Sequence, residues 1–297
     1  MWAAPRSPRG RADAAATRCF TITLLTSVVC ALAGCGEGGI ETKLDEGFQA
    51  LFQPRRTPQQ YMLVAVSSDD PDLRREAVAH ISKSKYYDRE WAIKGFVAIA
   101  LLESEPQTRC VAIRALARTG DPRATETALK ILNYERYPPQ EVWPPVPLVR
   151  WDATQALADL SARGEVPEVH REEVFKTLLD RLRNDSDRHA RIAAARGLAC
   201  YPNEETVSAL IEGLRDTDFA VIHQCEESLV KLTGRTHDGD ALAWEDWLAA
   251  NGDRLFAHAG EVPESRQPPY RNRWEKAAYD TQDFIRWLWP GPKPKDE

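Results

Sequence analysis

Apolar residues recur along this chain with helical spacing, and short polar loops separate the segments at regular intervals. Within the segments the spacing i, i+3, i+4 and i+7 predicts amphipathic α-helices. Several predicted helices start with a capping side chain followed by proline, as at Thr57-Pro58, Asp70-Pro71 and Asp121-Pro122. The side chain can accept from free N–H groups, and proline fits the first turn. The body of the chain is therefore expected to be all-α.

Every second predicted helix repeats one motif, which we call the echo. It has an arginine, a small residue three positions after the arginine, and mostly small or apolar residues six and seven positions after it. The arginines are Arg74, Arg109, Arg150 and Arg191, and the fifth copy has Ile222 instead. The gaps between these anchors are 35, 41, 41 and 31 residues, which is typical of two-helix solenoid units. Small side chains on one helix face let neighbouring helices approach closely.

An acid stands four residues before the arginine in three of the copies. The pairs are Asp70/Arg74, Glu105/Arg109 and Asp187/Arg191. We expect the arginines to bind acids or carbonyls of adjacent turns and to form a structural ladder along the stack. The alternative is an arginine row that binds an anionic ligand, which the acidic body of the protein disfavours.

The echo resembles the inner helix of HEAT and HEAT-like repeats, including the Asp-Pro-x-x-Arg opening at residues 70–74. This resemblance covers about residues 57–235 and implies an α-solenoid, a right-handed superhelix of antiparallel helix pairs. An amphipathic segment at residues 41–52 is expected to cap the first repeat. The solenoid is thus predicted to occupy residues 42–235, with about five helix pairs.

The regular pattern breaks at residues 134–147, a segment that we call the insert. It contains five prolines, at positions 138, 139, 144, 145 and 147, and this density excludes a regular helix. Tyr134, Tyr137 and Trp143 lie in the insert and are candidate partner-binding residues.

The composition changes again after Gly234, and residues 236–297 are predicted to form a helical C-terminal cap and an aromatic-rich tail. A threonine–glycine ending followed by a helix with Trp244 and Trp247 loosely resembles the C-terminal extension of some bacterial HEAT-repeat proteins. A solenoid must cover its terminal face, so the tail aromatics are expected to cap the last repeat. The alternative is a docking patch for a partner or a lipid interface, with Trp287 and Trp289 as candidates.

The first 34 residues have the layout of a secretory signal peptide. Arginines at positions 6, 9, 11 and 18 precede an apolar run of 16 residues, which is shorter than the roughly 20 residues of a spanning helix. The run ends in Leu32-Ala33-Gly34-Cys35, which resembles the lipobox of bacterial lipoproteins. An ordinary cleavable signal is the alternative.

The lipobox resemblance implies cleavage before Cys35, a covalent lipid on its thiol, and acylation of the new amino group with a chain such as palmitate. Residues 35–41 then form a flexible tether. The protein is expected to be anchored by this lipid to a membrane of the cell envelope and to face the periplasm or exterior. Gly36 in place of aspartate slightly favours the outer membrane.

Composition and charge describe a folded body, with 43% hydrophobic and 28% charged residues. The formal net charge is −6, of which the first 34 residues contribute +3, leaving −9 for the remainder. An acidic body makes nucleic acid an unfavourable partner.

Three cysteines follow Cys35, namely Cys110, Cys200 and Cys225. A Cys200–Cys225 disulfide between neighbouring repeats is a less favoured expectation.

No catalytic pattern emerges from the sequence. There is no C-x-x-C pair, no H-x-x-x-H, no G-x-S-x-G and no phosphate-binding glycine loop. We therefore expect no catalytic, metal or cofactor site, no small-molecule substrate, and no cofactor beyond the lipid on Cys35. The predicted function is a non-enzymatic scaffold that binds an unidentified protein partner.

An enzymatic alternative comes from the resemblance, because some HEAT-like proteins resemble the bilin lyases of phycobilisomes, which act on cysteines of a partner protein. It would make this chain a lyase or the regulatory subunit of an enzyme. An exported location argues against it.

Overall fold

The structure is a computed structural model that describes residues 56–267 and 272–288. These residues contain twelve α-helices and no strand. None of the described helices has both the length and the apolarity that a bilayer crossing requires. The predicted signal peptide, Cys35, the tether, the capping segment at 41–52 and Trp289 lie outside the described residues.

The helices follow one another with short connections, except at the insert. Their bounds are α1 Pro58–Ser67, α2 Pro71–Lys83, α3 Glu90–Leu102, α4 Pro106–Thr119, α5 Pro122–Leu132, α6 Pro147–Arg163, α7 Glu168–Asn184, α8 Arg188–Leu198, α9 Glu204–Gly213, α10 Phe219–Thr233, α11 Ala241–Asn251 and α12 Arg273–Leu288.

Helices α1 to α10 form five pairs that stack in chain order, and this arrangement confirms the predicted all-α solenoid. The even-numbered helices carry the echoes and pack side by side in one layer, the echo layer; the odd-numbered helices form the other layer. Neighbouring helices contact each other more extensively in the echo layer than in the other layer. The reason is that the residue three positions after each echo arginine, or after Ile222 in the fifth echo, is small and fully buried. These residues are Ala77, Ala112, Ala153, Ala194 and Cys225.

The acids that precede the echo arginines serve as helix N-caps. Asp70 accepts from the N–H of Asp72 at 2.8 Å, and Glu105 accepts from the N–H of Thr108 at 2.6 Å. Asp187 caps α8 in the same way. Because these carboxylates satisfy free N–H groups at the helix starts, the arginines take their acidic partners from elsewhere.

Three echo arginines bind an acid in the loop of the next repeat through two hydrogen bonds each. Arg74 binds Glu103 at 2.8 and 3.0 Å. The Arg150–Asp185 bonds are both 3.0 Å, and the Arg191–Asp216 bonds are 2.7 and 3.1 Å. Two parallel bonds between a guanidinium and a carboxylate fix both geometry and distance, so each pair ties one repeat to the next.

Each of these acids also organises its own loop. Glu103 accepts from the N–H of Glu105, and Asp185 and Asp216 accept from the N–H two residues onward in the same way. Burial raises the pKa of Asp185, but the hydrogen bonds from Arg150 outweigh it and hold that pKa below its ordinary value. The same balance lowers the pKa of Glu103 and Asp216. The acids of the ladder are therefore ionised at neutral pH and pair with the positively charged arginines.

Arg109 departs from this scheme because its acceptors are all carbonyls. It is 1% exposed, and its guanidinium donates to Ala100 at 3.0 Å, Trp143 at 2.9 Å and Pro144 at 3.2 Å. Pro144 occupies the position that holds the acid in the loops of the second, fourth and fifth repeats. Burial lowers the pKa of Arg109 to about 10, which still leaves it charged at neutral pH.

Residues 236–267 cover the last repeat, and one buried acid organises the junction. Trp244 of α11 is fully buried and donates its Nε1–H to Glu226 of α10 at 2.6 Å. Glu226 also accepts from the hydroxyl of Thr236 at 2.6 Å and from the N–H groups of His237 and Gly239, both at 3.2 Å. The fifth echo has no arginine, and this carboxylate joins the stack to its cap instead.

Four apolar side chains of the tail helix α12 are not buried. Trp274, Phe284, Ile285 and Leu288 are all exposed. The expectation that the tail aromatics cap the last repeat is not met for these four residues, because Trp244 and the loop residue Leu255 already fill that place. Cys110, Cys200 and Cys225 are free thiols, so the Cys200–Cys225 disulfide does not form.

Arg109→Ala is expected to lower the free energy of unfolding by about 3 kcal/mol, because it leaves three carbonyls without a charged donor and opens a cavity. Thermal and urea unfolding would measure the loss. Arg75→Ala, at the partly exposed position next to Arg74, is the control and should stay close to the wild type. Equal stability of the Arg109 variant and the wild type would show that the guanidinium is not structural.

Glu226→Ala is expected to destabilise the cap by about 3 kcal/mol, since it removes the acceptor of several buried donors. Tryptophan fluorescence should report the change through Trp244. Glu227→Ala is the matched control, because this neighbouring side chain is 44% exposed. Identical unfolding curves for the two variants would contradict the role assigned to Glu226.

Candidate partner-binding surface

The loops that join the two helices of each pair lie at one edge of the solenoid, which we call the ladder edge. They are residues 68–70, 103–105, 133–146, 185–187 and 214–218. Each echo arginine extends from its helix and binds the loop of the next repeat. The ladder of arginine contacts therefore runs along this edge. The insert is the longest of the five loops and belongs to the third repeat.

The insert begins beside the fourth repeat. Tyr134–Arg136 form one turn of 3₁₀-helix, and Nη1 of Arg136 lies 3.5 Å from Oε1 of Glu173 on α7. The ammonium of Lys130 lies 5.5 Å from the centre of the Tyr137 ring. Tyr134 and Tyr137 are both half-buried, so this end of the insert is packed against its surroundings.

The other end of the insert is held at the second repeat by its backbone. The N–H of Trp143 donates to the carbonyl of Leu101 at 2.7 Å, and its own carbonyl accepts from Arg109. Val142 is buried beside it, whereas Trp143 is 48% exposed. The backbone of Trp143 is therefore fixed while its side chain meets solvent.

Four exposed apolar side chains belong to the segments that meet at this fixed end, and we call them the insert patch. Its members are Leu102, Trp143, Val146 and Leu148. Leu102 follows directly after Leu101, whose carbonyl holds Trp143. Exposed apolar side chains that include an aromatic residue on a fixed backbone are typical of a protein-binding surface.

The structure places the candidate residues in three different regions. Trp143 lies in the insert patch, and Tyr134 and Tyr137 lie at the α7 end of the insert. Trp287 belongs to α12. The four arginines are held by carboxylates and carbonyls within the repeat stack, so their guanidinium groups serve packing.

The described cavities are open grooves rather than deep pockets. One groove of about 410 Å³ lies between α5 and α7 next to the start of the insert. Charges of both signs line it, among them Arg136, Glu173 and Lys176. Charged side chains on an open helix surface are solvated, so this groove has no features of a catalytic site.

The two buried thiols, Cys110 and Cys225, are unsuited to nucleophilic chemistry. Burial raises the pKa of Cys225 to about 12, and burial likewise raises the pKa of Cys110. A reactive cysteine needs the opposite shift, because the thiolate is the nucleophile. Within the residues that the structure describes, no three His, Cys, Asp or Glu side chains are grouped to hold a metal ion.

Sequence reasoning missed several buried acids that matter. The ladder partners Glu103, Asp185 and Asp216 each stand three residues before an echo helix, and aligning the loops would have shown this. Glu226 and Asp152 are buried among helices, and nothing in the local pattern distinguishes them from solvated surface acids.

Comparison with known proteins agrees with this architecture. The family model described as HEAT repeats matches residues 175–243. No curated protein matches the chain significantly.

Several solved structures resemble it at low identity. The complex of CpcE and CpcF of phycocyanin lyase from Nostoc sp. PCC7120 is 18% identical with a TM-score of 0.46, covering 66% of this chain and 70% of that one. An engineered protein is 18% identical with a TM-score of 0.45, covering 68% and 95%. A computationally designed armadillo repeat protein for modular peptide recognition is 15% identical with a TM-score of 0.43, covering 67% and 94%.

The described part of the chain is therefore an all-α repeat solenoid, with HEAT repeats matched over residues 175–243.

Proposed function

We propose that this protein is a lipid-anchored, non-enzymatic scaffold of the bacterial cell envelope that binds a partner protein through the insert patch. The observation that carries the proposal is the fixed backbone of Trp143, whose indole is exposed, as are the apolar side chains of Leu102, Val146 and Leu148. A preorganised aromatic group loses little entropy on binding, and such residues dominate interface energies.

The anchor part of the proposal is supported by the sequence from Leu32 to Cys35 and the basic, apolar segment before it. Several acyl chains on one cysteine give stable membrane attachment. The described solenoid begins at residue 56, so 20 residues, 36–55, would lie between the lipid on Cys35 and the solenoid.

The non-enzymatic part is supported by the chemistry of the described residues. The buried thiols have raised pKa values, and the grooves present solvated charges. These features favour binding over catalysis.

Trp143→Ser is expected to abolish recovery of the partner in intact-cell crosslinking, because it removes the aromatic centre of the patch while the backbone bonds of residue 143 remain. Val169→Ser is the matched control: Val169 is 82% exposed on α7, outside the patch, and its variant should recover the partner normally.

Cys35→Ser should move the protein from the membrane to the soluble fraction.

Recovery of the same dominant partner by the Trp143 variant and the wild type would contradict binding through the insert patch. Recovery of no dominant partner by the wild type would contradict the scaffold role itself.

A further inference from the structure

The tail helix α12 carries an apolar stripe along its whole length, which we call the tail face. Positions i, i+3, i+4, i+7, i+11 and i+14 of an α-helix lie on one side of it. In α12 these positions hold Trp274, Ala277, Ala278, Thr281, Ile285 and Leu288. The hydroxyl of Thr281 donates to the carbonyl of Ala277 at 2.7 Å, so this polar group is satisfied within the helix.

The tail face meets solvent. Trp274 is 82% exposed and Ile285 is 57% exposed, and the other positions of the tail face are exposed as well. The place of a cap over the last repeat is taken by Trp244 and Leu255. An apolar helix face in water carries a free-energy penalty and marks an interaction surface.

Local hydrogen bonds hold α12 in its helical form. The side-chain oxygen of Asn272 accepts from the N–H groups of Trp274 at 3.0 Å and Glu275 at 2.9 Å. Lys276 forms an ion pair with Asp280, one turn further along, at 2.9 Å. Because the first turn is capped from within the tail, the helix presents the tail face as a preformed surface.

The net charge of the tail is opposite to that of the rest of the protein. Residues 265–297 hold seven lysines and arginines against five acids, a net charge of +2. Since the chain after residue 34 carries −9, residues 35–264 carry −11. Basic residues stand before and after the tail face in sequence, among them Arg271 and Lys293. A negatively charged surface would therefore attract the tail and repel the body.

The dimensions and side chains of α12 suit the surface of a lipid bilayer. Its 16 residues span about 24 Å. An amphipathic helix of this kind lies in the plane of the membrane, with its apolar face toward the acyl chains and basic residues near anionic headgroups. Tryptophan is favoured at this depth, because its ring is apolar while its N–H can bind water or a headgroup.

We propose that α12 lies on an anionic lipid bilayer through the tail face and is a second membrane contact of this protein. The inference rests on the proposed lipid anchor, because a lipid on Cys35 keeps the tail close to one membrane and raises its effective concentration there. Two contacts would limit the orientations that the solenoid takes on the membrane. The tail face alone gives reversible attachment, so loss of the lipid still moves the protein to the soluble fraction.

Co-sedimentation with vesicles tests the tail face directly. The protein is the mature chain, residues 35–297, carrying Cys35→Ser, so that no lipid contributes. The vesicles contain phosphatidylethanolamine with about a quarter phosphatidylglycerol, and neutral phosphatidylcholine vesicles serve for comparison. We expect saturable binding to the anionic vesicles, and binding at least about threefold weaker both to neutral vesicles and at high salt.

Substitutions in this protein locate the contact. Trp274→Ser and Ile285→Ser should each weaken vesicle binding by about tenfold or more, because each removes a large apolar side chain from the lipid. Leu63→Ser is the matched control: Leu63 is 63% exposed on α1, outside the tail face, and its variant should bind like the unsubstituted protein. All three side chains are exposed, so the melting temperature should not change.

Several results would overturn the proposal. They are the absence of saturable binding, equal binding by the three variants, and equal binding to anionic and neutral vesicles. A large drop in the melting temperature of Trp274→Ser would assign this side chain to packing instead. A dimer in sedimentation velocity that Ile285→Ser dissociates, without vesicle binding, would assign the tail face to a second copy of this chain.

The vesicle assay contains neither the partner protein nor the lipid on Cys35, so it separates this inference from the proposed function. Vesicle binding through the tail face establishes the membrane contact even if crosslinking recovers no partner. Loss of the partner in Trp143→Ser without any vesicle binding retains the scaffold and removes the second membrane contact.

Discussion

A buried guanidinium has five N–H donors and must find acceptors for them, and the repeat stack is arranged around this requirement. Arg74, Arg150 and Arg191 meet it with an acid from the next loop and a carbonyl of their own loop. One charged group thereby fixes the distance between two repeats and the shape of two loops. The small residues of the echo helices supply close packing, but the arginines determine how the loops align along one edge.

The third repeat is where this arrangement changes. Its loop has Pro144 in place of the acid, so Arg109 is satisfied by backbone carbonyls. Because a carbonyl belongs to every residue, the side chains of Trp143 and Pro144 are not needed to hold Arg109. Trp143 can be exposed because its backbone, rather than its side chain, completes the ladder.

The insert patch has no structural reason within the repeat stack. It exposes apolar side chains at the ladder edge, and exposed apolar surface carries a free-energy penalty in the isolated protein. Under the proposed function, contact with a partner protein would relieve this penalty, so partner recognition is proposed at this edge.

The sequence predicts the helices, the solenoid and the position of the insert, because helical periodicity, N-caps and proline act locally. The anchoring arginines can be predicted from the sequence for the same reason. Their acidic partners cannot be predicted in this way. Asp70 and Glu105 lie close to the arginines in sequence but cap helices, whereas Glu103 and Asp185 come close to the arginines only when the repeats stack. Asp152 and Glu226 are distinguished only by burial, which depends on the packing of several helices.

The residues that cover the last repeat also could not be predicted from the sequence. Tail residues such as Trp274 and Leu288 have the apolar character expected of a terminal cover, but Trp244 takes that place with Glu226 as its acceptor. Composition indicates that a cover is needed, and only the three-dimensional contacts determine which tryptophan provides it.

If the ladder holds the insert as a fixed platform, the amide of Trp143 must be protected from hydrogen exchange. This N–H donates to the carbonyl of Leu101 at 2.7 Å, so we expect it to exchange as slowly as the amides inside α4. Exchange at the rate of an unstructured peptide would show that the insert is not held in place.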